Sequence, residues 1–187
     1  MLISSDINRI AKIVQQGGVI AYPTEAVLGL GCDPYNHAAV QRLCALKQRA
    51  EDKGLIVIAA NFAQLKPYIE SLNPKIEKIL TTPQSVPTTW LVPAHKDVPN
   101  WVTGQYSSVA IRISQHRACQ QLCLAVGYPI ISTSANPATY PPAKDIATLQ
   151  GYFNHDIDAF FDAPLGQYQQ PSTIRDAVTQ QVIRASD

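Results

Sequence analysis

Leu55-Ile56-Val57-Ile58-Ala59 is an unbroken apolar run of strand length, and its reading decides the fold class. A strand with one wet face alternates apolar and polar residues, whereas one covered on both faces does not. This segment therefore belongs inside a sheet with structure on either side. Asn61 can cap the helix that follows. Working outward, strands are expected at 89–92, 109–113, 130–133 and 159–161, with a helix near 118–126 and short strand candidates at 173–175 and 182–184. Toward the N-terminus, Ser5 and Asp6 can cap a helix whose residues Ile7, Ile10, Ala11, Ile13 and Val14 share one face. Gly17-Gly18 ends that helix, and Val19-Ile20-Ala21-Tyr22 reads as a buried strand stopped by Pro23. A loop over 23–35 and a helix over about 38–47 complete the first third. Segment 93–107 reads as loop. Helices and strands alternate, so the class is α/β (α+β), a twisted mixed sheet flanked by helices. No repeat or linker divides the chain, which reads as a single domain over 1–187.

The bulk numbers agree with a soluble protein. Of 187 residues 46% are hydrophobic and 16% charged, and a chain this long buries roughly two-thirds of its unfolded surface without staples. Net charge is +1, from 15 basic and 14 acidic residues. The molecule as a whole is therefore no polyanion magnet, and any phosphate site must come from local clustering. No basic leader precedes an apolar run, and no apolar stretch approaches the ~20 residues of a membrane span. The expectation is a cytoplasmic protein with no membrane contact. Cys32, Cys44, Cys119 and Cys123 form no C-x-x-C pair, which favours buried free thiols over a zinc site. The histidines at 37, 95, 116 and 155 show no spacing for a metal or a triad.

Five segments carry candidate chemistry. Tyr22-Pro23-Thr24-Glu25 leads into a loop with Gly29 and Gly31; it matches neither a P-loop nor a dinucleotide fingerprint. It reads as a strand-to-helix turn or as a ligand loop. Lys47-Gln48-Arg49, with Lys53 close behind, offers either cations at a helix C-terminus or, with the chain extended, one cationic wall suited to a triphosphate. Ser132-Thr133-Ser134-Ala135-Asn136 follows a buried strand at its carboxyl end, and reads either as Asx and Ser/Thr turns before Pro137 or as a ligand site where open sheets place one. The G-x-S-x-G frame of a serine nucleophile is missing. Arg112 sits inside the apolar run Val109–Ile113, where a charge needs a partner, a cleft or an exposed edge. Pro171-Ser172-Thr173-Ile174-Arg175-Asp176 and Val182-Ile183-Arg184 read, taken alone, as surface strands joined by a turn.

Together these segments resemble the YrdC/Sua5 family, from about Gly17 to Arg184. The carriers are Gly17-Gly18 with Tyr22-Pro23-Thr24-Glu25, Lys47-x-Arg49, Ser134-x-Asn136, Pro171 to Asp176 and Ile183-Arg184. The compact length is similar to the short bacterial branch. The resemblance implies a concave, cationic cleft. It also implies nucleotidyl transfer: L-threonine and bicarbonate give a carbamate that attacks the ATP α-phosphate, forming threonylcarbamoyl-AMP and pyrophosphate for tRNA modification. By position it implies that Lys47, Arg49, Lys53, Ser108, Ser134, Asn136 and Arg184 hold ATP, with Lys47 and Arg49 catalytic. Thr24, Arg112, Ser132 and Ser172 would face threonine, magnesium would arrive on the ATP phosphates, and no protein metal site is implied. Departures from the family pattern are Ala26 and Leu28 for a Thr and a Tyr, Ala50 for a Pro, and Val86 for the Gly of a Gly-Pro. They bear on threonine affinity more than on reaction class.

Two rivals stand beside this reading. One is a non-catalytic RNA-binding or ribosome-maturation module using the same cleft on a phosphate backbone. The other is a paralogue with a different amine substrate. A tRNA threonylcarbamoyl transferase complex would receive the product. The sequence names no general base and no oligomeric state.

Overall fold

The computed structural model describes residues 1–71, 73–153 and 156–185; His155 lies outside them. Asp6 caps the first helix through hydrogen bonds from the Asn8 and Arg9 N–H groups to its carboxylate. The elements run β1 (Leu2–Ser4), α1 (Ile7–Gln15), β2 (Ile20–Pro23), β3 (Leu28–Gly31), α2 (His37–Leu46) and β4 (Ile56–Ala59). Then come α3 (Phe62–Leu65), α4 (Pro74–Thr81), β5 (Thr88–Pro93), α5 (Asn100–Thr103), β6 (Ser108–Ile113) and α6 (Arg117–Val126). The last are β7 (Ile130–Ser134), α7 (Ile146–Phe153), β8 (Ala159–Phe161), β9 (Thr173–Asp176) and β10 (Val182–Arg184). The expected helices and strands recur, with Asp6 and not Ser5 capping α1 and with four further differences. The expected loop over 23–35 contains β3, which pairs antiparallel with β2. Segment 93–107 contains the one-turn α5. Strand β2 runs through Pro23, and β1, α4 and α7 were not foreseen.

Among the described residues, ten strands join one mixed sheet in the order β1-β8-β2-β3-β7-β4-β6-β5-β9-β10. Strand β4 lies between β6, parallel, and β7, antiparallel, as its unbroken apolar run requires. Its side chains alternate between two cores. Ile58 joins Ile20, Tyr22 and Ile130 under α1 and α6, while Val57 and Ala59 join Val40, Leu43 and Ile131 on the other face. Burying both faces supplies the main driving force, at roughly 1.5–3 kcal/mol per large apolar side chain. Arg112 is not on an edge strand: β6 is flanked by β4 and β5, and its register partner is Ile58. All four cysteines are buried free thiols. Among the described residues no helix is long and apolar enough to cross a membrane.

Candidate active site

The face that α1 and α6 cover is only partly filled, and the period of two along each strand decides what the rest presents. Ile56 is flanked in register by Ala110 of β6 and Ser132 of β7. Arg112 and Ser134 follow two residues further along their strands. Ile56, Ala110, Arg112, Ser132 and Ser134 therefore surface together on the wall of a cavity of about 460 Å³, ordinary for a small-molecule site. Thr24, Arg49, Lys53, Ser108, Ser172 and Arg184 line the same cavity. Nine of the eleven residues singled out from the sequence thus meet at one place.

Lys47 and Asn136 do not line it. Lys47 is buried, and its ammonium donates to the backbone carbonyls of Ser134 and Asn136 at 2.5 and 2.8 Å. Gln48 adopts a left-handed conformation, φ 51°, so the chain leaving α2 turns and does not extend. That turn separates Lys47 from Arg49, whose guanidinium donates to the Gly54 carbonyl at 2.8 Å. The expected single wall of Lys47, Arg49 and Lys53 is therefore split, with Arg49 and Lys53 on the cavity and Lys47 behind it. Burial, and next the charge of Arg49, lower the Lys47 ammonium to about 8.

The threonine-facing candidates are held firmly. The Thr24 hydroxyl donates to the Val27 carbonyl at 2.6 Å and closes the turn between β2 and β3. The Ser172 and Thr89 hydroxyls lie 2.8 Å apart, and Arg184 donates to the Ser172 carbonyl at 2.7 Å. Burial, and then the charge of Arg112, lower Arg184. Gly31 lets β7 and the Tyr22 ring close on β3; a Cβ there would lie 2.6 Å from the Ile131 carbonyl oxygen and 2.8 Å from the ring. Such distances exclude any larger residue.

Glu25 also lies on this wall, an acidic residue to which the sequence motifs assign no role. It is 4% exposed. The Ser114 hydroxyl donates to its Oε1 at 2.7 Å and the Gln115 N–H at 3.2 Å. Its Oε2 lies 3.5 Å from a terminal nitrogen of Arg112. Burial pushes its carboxyl upward, but Arg112, the Ser114 hydroxyl and backbone N–H donors together outweigh that and hold it below the usual range. The signal that could have found it is its sequence position, one residue beyond Thr24 at the end of a buried strand. A second cavity, of about 350 Å³, lies against the other side of the Glu25–Arg112 pair, lined by Thr81, Thr88, Trp90 and Gln115.

Comparison with known proteins gives this cavity a context. The Sua5/YciO/YrdC family model, described as telomere recombination, matches residues 12–186. A Pseudomonas aeruginosa protein named threonylcarbamoyl-AMP synthase is 51% identical over 174 residues, covering 93% of this chain and 94% of that one. One of the same name from Cellvibrio japonicus is 47% identical over 180 residues, covering 96% and 95%. Among solved structures, P. abyssi Sua5 complexed with L-threonine superposes with a TM-score of 0.85 at 27% identity, over 94% of this chain. This chain spans about half of that one, 53%. E. coli YciO, at 24% identity and a TM-score of 0.79 over 98% of this chain and 92% of that one, shares the fold. The chain belongs to the Sua5/YciO/YrdC family.

Proposed function

We propose that this chain makes L-threonylcarbamoyladenylate and pyrophosphate from L-threonine, bicarbonate and ATP. The observation that carries the reading is the convergence, in one cavity, of segments as far apart as Thr24 and Arg184, in a chain about half identical to proteins named for that reaction. Arg49, Lys53 and Arg184 serve the phosphates, with Ser108 and Ser134 supplying hydroxyls. Lys47 acts from behind the wall by fixing the Ser134–Asn136 backbone, and Asn136 completes that loop. Arg112 takes the threonine carboxylate, with Thr24, Ser132 and Ser172 around the rest of the amino acid.

Such a transfer asks the protein to align the carbamate oxygen with the α-phosphorus and to stabilise charge on phosphate oxygens. The described residues contain no group of three or more His, Cys, Asp or Glu side chains able to hold a metal, and Glu25 is already engaged. The donor set fits phosphate oxygens, and magnesium arrives as part of the substrate, carried on the ATP phosphates. The setting is the cytoplasm, where four buried thiols stay reduced. The product is a mixed anhydride that water consumes, so it passes to a tRNA threonylcarbamoyl transferase complex. The near-neutral net charge favours this reading over an RNA-binding module.

The test is pyrophosphate release with magnesium and ATP, omitting threonine or bicarbonate in turn. Release that needs both supports the reading, and release that ignores either refutes it.

A further inference from the structure

The cavity wall carries four cationic side chains, Arg49, Lys53, Arg112 and Arg184. Among the described residues only Arg112 of these has an acidic partner within 4 Å. Arg49 and Arg184 spend donors on the backbone carbonyls of Gly54 and Ser172, which leaves their charge uncompensated. A polyanion such as a triphosphate is drawn to uncompensated charge. It has less reason to settle on an arginine already neutralised.

The Glu25–Arg112 contact neutralises charge without using up the guanidinium. At 3.5 Å it is long for a charge-assisted hydrogen bond. Glu25 Oε2 and Arg112 Nε are both buried and without hydrogen-bond partners, although Arg112 is 8% exposed. Arg112 Nε is the donor of the two, and a buried unpaired donor calls for an explanation, which a ligand carboxylate arriving from the cavity supplies. The anion that offsets Arg112 cannot swing away. Ser114, itself fully buried, and Gln115 grip its Oε1. The Tyr168 N–H donates to the Glu25 carbonyl at 3.0 Å, and Gly166 passes so close that a Cβ would lie 2.3 Å from that oxygen.

We propose that Glu25 is a specificity residue: its fixed carboxylate neutralises Arg112, so that the guanidinium accepts the carboxylate of a zwitterionic amino acid and rejects a phosphate chain. A zwitterion brings no net charge to a neutral pair, whereas phosphate brings at least one negative charge beside a buried carboxylate. Arg112 and Arg184 feel each other's charge, so without Glu25 they would form a continuous phosphate site across the amino-acid end of the cavity. This inference rests on the function proposed above and adds the means by which one cavity keeps the carboxylate of the amino acid apart from the phosphate chain.

The experiment measures threonine binding by calorimetry, without ATP, in the presence of increasing inorganic phosphate. Glu25→Gln keeps the shape and the Oε1 acceptor but removes the charge. The expected result is that phosphate displaces threonine at concentrations about tenfold lower, or less, than with the unaltered protein, while Glu25→Asp, which keeps the charge, retains most of the discrimination. An unchanged ratio of threonine to phosphate affinity in Glu25→Gln overturns the inference, as does an equal loss of both. Should Glu25→Gln fail to fold, the unaltered protein decides: displacement of threonine by a tenfold excess of phosphate overturns it, and resistance supports it. Absence of threonine binding to the unaltered protein would instead overturn the proposed function, and this inference with it.

Discussion

The Lys47 ammonium lies 2.8 Å from the carbonyl oxygen of Asn136, 89 residues away in sequence. The lysine that ends α2 thereby fixes the loop leaving β7, and the same nitrogen also reaches the Ser134 carbonyl. Two motifs that look like separate ATP ligands in the sequence are one buried polar unit in the fold.

Removing that unit affects stability as well as turnover. Lys47→Ala takes its donor from the part-buried Asn136 carbonyl and leaves the Ser134 carbonyl with only the Asn136 N–H, at about 1–3 kcal/mol for a group left unsatisfied, which corresponds to a melting point lower by several degrees. Arg49→Ala, on the cavity wall, is expected to melt within about 2 °C of the unaltered protein and still lose at least tenfold in turnover. Parallel thermal melts and pyrophosphate assays separate the two; equal melting losses would show that Lys47 has no special structural share.

Lys47 also sets a pH dependence. With its folded value lowered to about 8, below the ordinary lysine value of about 10.4, the unfolded chain binds more protons between those limits. Stability from this group therefore rises with pH across that window. The ammonium charge that fixes the Ser134–Asn136 backbone behind the cavity wall disappears over the same range, so kcat/KM for ATP is expected to fall with a midpoint near 8. In Lys47→Arg, whose guanidinium stays charged, that alkaline limb should vanish from the pH–rate profile.

Arg112→Met tests the amino-acid end of the cavity. It leaves the Glu25 carboxylate buried with Ser114 and Gln115 but without its cation. Threonine affinity should drop about 100-fold, the order of a lost charge-assisted pair, while ATP affinity changes less than threefold. Calorimetric titration of each substrate alone checks both numbers.

Gly166→Ala places a methyl group where the Glu25 carbonyl oxygen stands, 2.3 Å away. The strand end carrying Thr24 and Glu25 must shift, so the threonine KM is expected to rise at least fivefold with a lower melting point. An unchanged KM would mean that the segment around Gly166 does not brace the site.

Much of this was legible in the sequence, for identifiable reasons. The run Leu55–Ala59 placed β4 inside the sheet because burial on both faces leaves no polar alternation. The motif residues were also legible as residue types. Strand β3 was not, because Leu28-Gly29-Leu30-Gly31 has poor intrinsic strand character and is held extended by Tyr22 and β7 packing against its glycines. Nor was the separation of Lys47 from Arg49, which depends on one left-handed residue, Gln48, that no composition rule marks. The convergence of Ser172 and Arg184 on the cavity depends on β9 pairing with β5, a long-range register that local patterns do not encode. Glu25 was quoted within a motif yet given no role, because its meaning comes from Arg112, 87 positions on and next to it only through the sheet.

The most direct test supplies ATP, magnesium, L-threonine and carbon-13 bicarbonate to the purified protein and examines the products by mass spectrometry. The expected products are threonylcarbamoyl-AMP carrying one heavy carbon and pyrophosphate in equal amount. Pyrophosphate or AMP without a labelled adenylate of threonine would contradict the proposed function.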